Sequence, residues 1–227
     1  MHTVIAAPPQ AVLPVRGMDA VFPVHRIYCV GRNYAAHTIE MGGDPDREEP
    51  FFFQKNPDNL VVGGDFPYPP KSRDVHHEIE LVVALASGGR DIPVETALEC
   101  VYGYGVGLDM TRRDLQGECK KAGRPWEIGK AFEHSAPCGE IVPASSIGHP
   151  AHGAIWLKVN GETRQVGDLD HMIWKVPEMI AYLSGLFELK PGDLIFSGTP
   201  SGVGPVSRGD TLHGHVDGVG DLHLKVV

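Results

Sequence analysis

Short apolar runs recur along the chain, several of them alternating with polar residues, and turns rich in glycine and proline separate them. This spacing predicts β-strands, because strand side chains repeat with a period of two. The predicted strands are 26–30, 51–54, 74–85, 103–109, 154–159, 162–166, 194–197, 211–216 and 222–227. Asn160-Gly161 is typical of a hairpin turn, and Asp217-Gly218 joins the last two strands. Since strands outnumber helices and hairpins outnumber βαβ units, the pattern predicts a β-rich α+β fold.

Three segments have helical spacing. Residues 94–102 carry apolar side chains on one side, and residues 112–121 follow Thr111, which suits an N-cap. Residues 177–189 form the clearest helix, because a proline opens the segment and its apolar residues share one face. Residues 33–41 fit a short helix or an ordered loop, and the charged segment 44–50 is a candidate mobile lid.

Two acids begin the most apolar of the predicted strands. Glu78 and Glu80 flank Ile79, so both carboxylates point to the same face of the strand. Burying two unpaired carboxylates would be costly, and a divalent cation is the simplest partner. Hard carboxylate oxygens suit Mg²⁺, Mn²⁺ or Ca²⁺ rather than zinc. The pair alone is more typical of an edge strand whose acids are solvated.

A third acid favours a metal site over a solvated edge strand. Asp109 ends the strand 103–109, whose close-set glycines let a ligand or another backbone approach. Two acids from one strand and one from another make a tripod for Mg²⁺, with water in the open positions.

Two pairs of polar residues have the three-residue spacing that places side chains on one side of a helical turn. In the first pair, Glu40 would orient His37, which would then deprotonate a water molecule. In the second pair, Arg113 and Gln116 would bind a carboxylate above the metal. Considered alone, the first pair is more typical of a surface, and the second fits a solvated helix face.

Further candidates are isolated in the sequence. Lys130 lies in a largely uncharged stretch, where a lysine is more often at the surface. In the loop 197–204, backbone N–H groups and the Thr199 hydroxyl could hold a carboxylate, although a surface loop is the alternative. Among the histidines, the neighbours His76 and His77 face opposite ways and cannot both bind one metal, so we expect one packed and the other exposed. The remaining histidines, including His213, His215 and His223, are interpreted as structural or surface residues.

Composition narrows the function further. The 227 residues are 42% hydrophobic and 22% charged, which is ordinary for a globular protein. The net charge of −9 argues against nonspecific nucleic-acid binding, and an anionic substrate must therefore meet local cations. No apolar stretch approaches the roughly 18 residues of a membrane span, and the N-terminus has no signal-peptide pattern. The four cysteines form no C-x-x-C pair, which indicates reduced thiols in a cytoplasmic protein.

Five motifs, taken together and in order, resemble the fumarylacetoacetate hydrolase family. They are G-R-N-Y with H-x-x-E, then H-H-E-I-E-L, G-x-D-M-T-x-R-D-x-Q, I-G-K and S-G-T-P-x-G-V-G. The resemblance runs from about residue 26 to the C-terminus and is strongest to the short acylpyruvate hydrolases, including those that act on fumarylpyruvate. Many relatives have threonine at Ser197, and the Pro of their K-P step is displaced here to Pro57, which affects the loop at Lys55.

The resemblance implies a mixed β-sheet roll, usually in a homodimer, with an N-terminal arm over 1–24 and one catalytic domain over 25–227. It implies that Mg²⁺ or Mn²⁺ is bound by three ligands and that one lysine stabilises developing negative charge. The implied metal ligands are Glu78, Glu80 and Asp109; the implied catalytic residues are His37, Glu40 and Lys130; the implied substrate contacts are Arg32, Arg113, Gln116 and Thr199.

The implied reaction is metal-dependent hydrolysis of a carbon–carbon bond in an acylpyruvate. The leading case converts fumarylpyruvate, a small anionic diketo acid, to fumarate and pyruvate in gentisate-type aromatic catabolism. Two alternatives stay open. The same centre could decarboxylate oxaloacetate, or decarboxylate and isomerise a dienedioate. A non-catalytic dimeric module could instead use the ion only for stability.

Overall fold

The computed structural model describes residues 2–35 and 49–227, and within these ranges strands far outnumber helices. The strands are β1 (Val12–Pro14), β2 (Val21–Pro23), β3 (Ile27–Gly31), β4 (Phe51–Lys55), β5 (Leu60–Val62), β6 (Val75–His77), β7 (Ile79–Leu85), β8 (Val101–Leu108), β9 (Thr111–Arg112), β10 (Ala136–Cys138), β11 (Val142–Pro143), β12 (Ala154–Val159), β13 (Glu162–Asp168), β14 (Leu194–Phe196), β15 (Gly204–Pro205), β16 (Thr211–Val216) and β17 (Gly220–Lys225). The α-helices are α1 (Arg113–Lys121), α2 (Glu127–Lys130), α3 (Ala144–Ile147) and α4 (Val176–Leu186), and 3-10 turns span Pro57–Asn59, Val94–Cys100 and Leu169–His171.

An eight-stranded sheet, the main sheet, forms the centre of the fold. Its strand order is β4-β3-β14-β7-β8-β10-β5, and β11 also pairs with β8. The β14–β3 and β10–β5 pairs are parallel, whereas the other pairs are antiparallel. The structure thus confirms the prediction of a β-rich α+β fold with a mixed sheet.

Three smaller sheets complete the strand pairing. The outer sheet has the order β13-β12-β16-β17 and is antiparallel throughout. A small sheet has the order β15-β6-β9, and β1 pairs with β2. Asn160 and Gly161 connect β12 to β13 with φ values of 52° and 81°. Both lie in the left-handed region that this dipeptide favours, so the predicted hairpin is confirmed.

Strand β7 is buried on both faces and separates two hydrophobic clusters. Ile79 and Leu81 face the larger cluster, which also contains Leu157 of the outer sheet. Val82 faces the smaller cluster, which includes Leu13 from the N-terminal hairpin. Glu80 lies between Ile79 and Leu81 in the strand, so its side chain points to the opposite face, which it shares with Val82. It is therefore buried deep in the protein.

Several predicted boundaries are wrong. The stretch 74–85 is two strands rather than one, because β6 pairs with β9 and β15 whereas β7 pairs with β8 and β14, and Glu78 lies between them. Thr111 is not an N-cap, since it pairs with His76 in the small sheet and α1 begins at Arg113. The segment predicted as a helix over 94–102 is a 3-10 turn that leads into β8.

The N-terminal segment contributes to the smaller hydrophobic cluster. Leu13 of β1 and Phe22 of β2 are buried there. The proposed division into an arm and one domain stays a prediction. In the described part of the chain, no helix has both the length and the apolar character to cross a membrane.

Candidate active site

Three carboxylates meet where β7 begins and β8 ends, near the middle of the main sheet. Glu78 precedes β7, Glu80 lies within it, and Asp109 follows β8, which pairs with β7. The Asp109 amide donates to the Glu78 carbonyl at 2.9 Å, which fixes the two strand ends together. One oxygen from each carboxylate lies within 4.8 Å of the others, and the three residues are 5%, 2% and 0% exposed. The structure therefore brings together the three acids that the sequence singled out.

The strand opposite Glu80 carries a glycine against which two neighbouring side chains pack closely. Glu80 pairs with Gly107 of β8. A Cβ atom at Gly107 would lie 2.6 Å from Val82 Cγ2 and 2.7 Å from Phe196 Cε1, closer than carbon atoms approach. Only glycine fits there without a shift of the neighbouring side chains, so at Gly107 packed side chains, rather than a ligand or another backbone, require the glycine.

Lys130 contributes a positive charge at the centre. Its ammonium group donates to Glu78 Oε2 at 2.9 Å, to Asp109 Oδ2 at 2.6 Å and to Thr111 Oγ1 at 2.7 Å. Burial disfavours its charged form, but Asp109 and Glu78 outweigh burial and raise its pKa above the usual lysine value. Lys130 is consequently a protonated hydrogen-bond donor rather than a general base.

A second buried lysine was missed as a site residue from sequence. Lys55 ends β4, and its Nζ lies 2.9 Å from Asp109 Oδ1. It also donates to the Met110 carbonyl at 3.2 Å and to the Lys130 carbonyl. The available signal was that a lysine directly follows the predicted strand 51–54.

The carboxylates suit a hard divalent cation. Within the described ranges Glu80 has no ion pair, and its Oε2 accepts a hydrogen bond from the Gly198 amide at 2.8 Å. Burial, together with Asp109 and Glu78, raises the pKa of Glu80 well above the usual glutamate value. The Lys55 contact with Asp109 Oδ1 is ionic, and no described group donates to that buried oxygen with hydrogen-bond geometry. A cation would satisfy both carboxylates at once.

Helix α1 brings two more predicted residues to the centre. Arg113 Nη2 donates to Glu78 Oε1, and its Nη1 donates to Gln116 Oε1 at 2.7 Å. Gln116 is buried against Gly129, where a Cβ atom would lie 2.9 Å from the Gln116 Cβ. Both side chains line the same cavity as the three carboxylates.

Thr199 is held by a glutamine that sequence reasoning did not identify. Gln165 is fully buried, and its Nε2 donates to Thr199 Oγ1 at 2.8 Å. The Gln165 Oε1 accepts from the Ile79 amide at 3.1 Å and lies 2.9 Å from His77 Nδ1. His77 is packed as expected, but His76 is half-buried rather than exposed, because the Arg113 Nε lies 3.3 Å from its ring.

A row of aromatic side chains forms one wall of the cavity. The Lys130 Nζ lies 5.0 Å from the centroid of Phe53, and the Phe53 and Trp126 rings are 6.0 Å apart. Trp126 packs edge-on against Phe51 at 5.4 Å, and Arg32 Cζ lies 5.8 Å from the Phe51 centroid. The wall thus extends from Lys130 to Arg32, and the sequence did not indicate its aromatic members as site residues.

Two predicted residues cannot be placed. His37 and Glu40 lie outside the described residues. All the other predicted site residues line one cavity: Arg32, Glu78, Glu80, Asp109, Arg113, Gln116, Lys130 and Thr199.

Known proteins resemble this chain in both sequence and structure. The family model described as "Fumarylacetoacetate (FAA) hydrolase C-terminal" matches residues 26–227. The crystal structure of fumarylpyruvate hydrolase from Pseudomonas aeruginosa in complex with Mn²⁺ and pyruvate superposes with a TM-score of 0.98, at 54% identity over 100% of this chain and 99% of that chain.

Curated relatives carry two different names. A fumarylpyruvate hydrolase of Ralstonia sp is 46% identical over 184 residues, which cover 81% of this chain and 95% of the relative. A mitochondrial oxaloacetate tautomerase of Mus musculus is 43% identical over 200 residues, which cover 88% of this chain and 90% of the relative.

Proposed function

Because the chain belongs to the fumarylacetoacetate hydrolase family, we propose that it is a metal-dependent enzyme that hydrolyses a carbon–carbon bond of an acylpyruvate. The proposed substrate is fumarylpyruvate, and the products are fumarate and pyruvate. The observation that carries the proposal is the buried centre of three carboxylates beside a protonated lysine. The Mn²⁺ and pyruvate complex of the Pseudomonas aeruginosa enzyme supports it.

In this proposal Glu78, Glu80 and Asp109 hold Mg²⁺ or Mn²⁺. When bound, the ion supplies Lewis-acid stabilisation of negative charge that develops on the substrate. Formal charges support the assignment. Three carboxylates are balanced by three cations that contact them, Lys55, Lys130 and Arg113. Adding a divalent ion leaves two positive charges, which suit a dianionic substrate.

The remaining residues bind and orient the pyruvate half. Arg113 and Gln116 face the cavity and would bind its carboxylate by charge-assisted hydrogen bonds. Lys130 would donate to the oxygen that becomes negative as the carbon–carbon bond breaks. Thr199, held by Gln165, would position the substrate from the opposite loop.

The proposed general base is His37, with Glu40 as its partner. The three-residue spacing would let Glu40 fix the imidazole tautomer so that the other ring nitrogen takes a proton from water. This water would attack the carbonyl of the acyl group, which gives the two acids as products.

The aromatic wall supports a long and flat acyl group. Phe53, Trp126 and Phe51 follow one another from Lys130 to Arg32. A conjugated fumaryl chain would lie along the wall with its terminal carboxylate toward the Arg32 guanidinium, which favours bidentate carboxylate binding. A short acetyl group would leave that end of the wall uncovered.

A second candidate function is enolate chemistry on oxaloacetate. It is favoured by the Mus musculus relative, which is named an oxaloacetate tautomerase. Oxaloacetate is also a dianion that could place negative charge beside Lys130. Its reaction does not need the attacking water, so His37 would matter less.

A substrate panel separates these functions. Purified protein with Mn²⁺ or Mg²⁺ should release pyruvate from fumarylpyruvate with a higher kcat/KM than from acetylpyruvate. Oxaloacetate turnover is followed in parallel, as loss of the enol absorbance and as release of pyruvate. Turnover of oxaloacetate alone would replace the proposal by the second candidate, and no turnover of any of the three would contradict both.

We also propose, from the family resemblance, that the protein is a homodimer. Light scattering at micromolar concentration tests this directly, and a monomer would contradict it.

All four cysteines are buried free thiols, which supports the proposal of a reducing compartment.

A further inference from the structure

Two histidines and an aspartate converge on the outward face of the β16–β17 hairpin. His213 pairs with His223 across the two strands, and their rings are stacked with centroids 4.0 Å apart. His213 Nε2 lies 2.8 Å from Asp221 Oδ1. One ligand atom from each of the three residues lies within 4.8 Å of the others. Because their strand neighbours are buried in the core, the three side chains are fixed on the outer surface.

Surrounding side chains hold this cluster in position. His215 Nδ1 lies 2.9 Å from Asp221 Oδ1, and His215 Nε2 lies 3.0 Å from Asp217 Oδ1. The Trp156 ring stacks on His215 at 5.0 Å and contacts His213 edge-on at 4.8 Å. Such outer contacts orient ligating groups and raise affinity in metal sites.

We propose that His213, Asp221 and His223 form a second metal site, chemically distinct from the three-carboxylate centre. Two imidazole nitrogens and one carboxylate oxygen suit Ni²⁺, Zn²⁺ or Cu²⁺, whereas a centre made only of carboxylates suits Mg²⁺ or Mn²⁺. The two sites would therefore bind different metal ions, because their ligand atoms differ. The exposed position leaves the remaining coordination places to water.

The distance between His213 Nε2 and Asp221 Oδ1 also suits two ligand atoms of one metal ion. Two ligand atoms in adjacent positions of a six-coordinate ion, each about 2.0–2.1 Å from it, are about 2.9 Å apart. The observed 2.8 Å between His213 Nε2 and Asp221 Oδ1 matches this spacing. The ion would replace the proton that the two atoms share, so binding requires neutral imidazoles.

The charge around the cluster favours a cation. Asp221 is a member of the cluster, Asp217 contacts the adjoining His215, and the whole chain has a net charge of −9. Two cations lie close by: Lys225 is two residues beyond His223 on β17 and lines the same surface depression as both histidines, and Lys158 pairs with His213 on the adjacent strand β12. The Lys158 Nζ lies 4.9 Å from the Trp156 centroid and is thus held over the indole ring.

A bound ion would link β16 to β17, the edge strand of the outer sheet. Because the ion binds the folded hairpin, it would raise the melting temperature in proportion to the logarithm of its concentration. The bound ion would therefore stabilise the pairing of β16 with β17 near the C-terminus.

The test uses untagged protein saturated with Mn²⁺ and titrated with NiCl₂. Calorimetry should show one Ni²⁺ per chain, and Ni²⁺ should quench the fluorescence of Trp156 while free Mn²⁺, followed by its paramagnetic resonance signal, stays constant. His213→Asn and His223→Asn should each weaken Ni²⁺ binding at least 10-fold. His215→Asn should weaken it by about 10-fold, as expected for a residue that orients a ligand.

Matched controls make the result specific. His171 lies 3.4 Å from Asp170 but belongs to no three-residue cluster in the described part of the chain, so His171→Asn should bind Ni²⁺ like wild type. Trp156→Phe should lose the quench and keep the calorimetric binding. The proposal is wrong if Mn²⁺-saturated wild type binds no Ni²⁺, or if His213→Asn, His223→Asn and His171→Asn bind it equally. Should either ligand variant unfold by circular dichroism, Asp221→Asn supplies the same comparison.

Discussion

Lys55 and Asp109 form an ion pair that is shielded from solvent, with Nζ 2.9 Å from Oδ1 and side chains 0% and 1% exposed. The pair connects β4 to the end of β8. Since Lys55 also donates to the carbonyls of Met110 and Lys130, one ammonium group holds both the Asp109 carboxylate and the end of α2, which carries Lys130.

Lys55→Met should therefore destabilise the metal-free protein by about 3–5 kcal/mol, because it leaves Asp109 buried with one cation fewer. A divalent cation would restore part of the missing positive charge. Mn²⁺ should consequently raise the melting temperature of the variant more than that of wild type, as measured by calorimetry. Lys121→Met, at an exposed position of α1, is the control. Equal Mn²⁺-induced shifts in Lys55→Met and wild type would contradict the role of Lys55 at the metal centre.

Asp109→Asn should weaken divalent-ion binding and remove most of the activity while the fold is retained. The amide keeps the size of the side chain but removes one of the three negative charges around the ion. Isothermal calorimetry with Mn²⁺ measures the affinity, and circular dichroism checks the fold. Unchanged Mn²⁺ affinity would show that the three acids do not form the metal site.

Arg32→Met should reduce kcat/KM for fumarylpyruvate and leave acetylpyruvate nearly unchanged. A hydrogen bond to a charged group contributes about 1.5–3 kcal/mol, so the expected loss is about 10- to 100-fold. Because acetylpyruvate has no terminal carboxylate, it is the internal control for the catalytic centre. Equal losses on both substrates would place Arg32 at the pyruvate half instead.

His37→Ala should lower the turnover of acylpyruvates by about 10²–10⁴-fold, the usual contribution of a general base. Glu40→Gln should have a smaller effect, since it loosens the base without removing it. Mn²⁺ affinity should be unchanged in both variants, and any oxaloacetate reaction should survive better than hydrolysis. Near wild-type hydrolysis by both variants would identify the two residues as a solvated surface pair.

Local chemistry in the sequence was enough for part of the fold. The Asn160-Gly161 hairpin was predictable because this dipeptide favours the required backbone angles. The shared face of Glu78 and Glu80 followed from the period of two. The break at Glu78 was not predictable, because it depends on β9 and β15, which lie far away in the sequence.

The parts of the site that were missed depend on distant partners. Lys55 contacts Met110, 55 positions later, and Gln165 contacts His77, 88 positions earlier. Gln165 belongs to no motif and Lys55 only to an altered K-P step, and each looks like an ordinary polar residue until the fold brings its partner within reach. The aromatic wall has the same origin, since Phe51 of β4 meets Trp126 only through tertiary packing.

The position of Glu78 between β6 and β7 has a consequence for how the protein opens. The small sheet lies on one side of this residue and the main sheet on the other. Asp109 lies at the corresponding connection from β8 to β9, and Glu80 belongs to the main sheet alone. An ion bound by all three acids would cross-link the small sheet to the main sheet. Removing the ion would then free the small sheet first, and the amide hydrogens of β6 and β9 would exchange with solvent before those of β7 and β8.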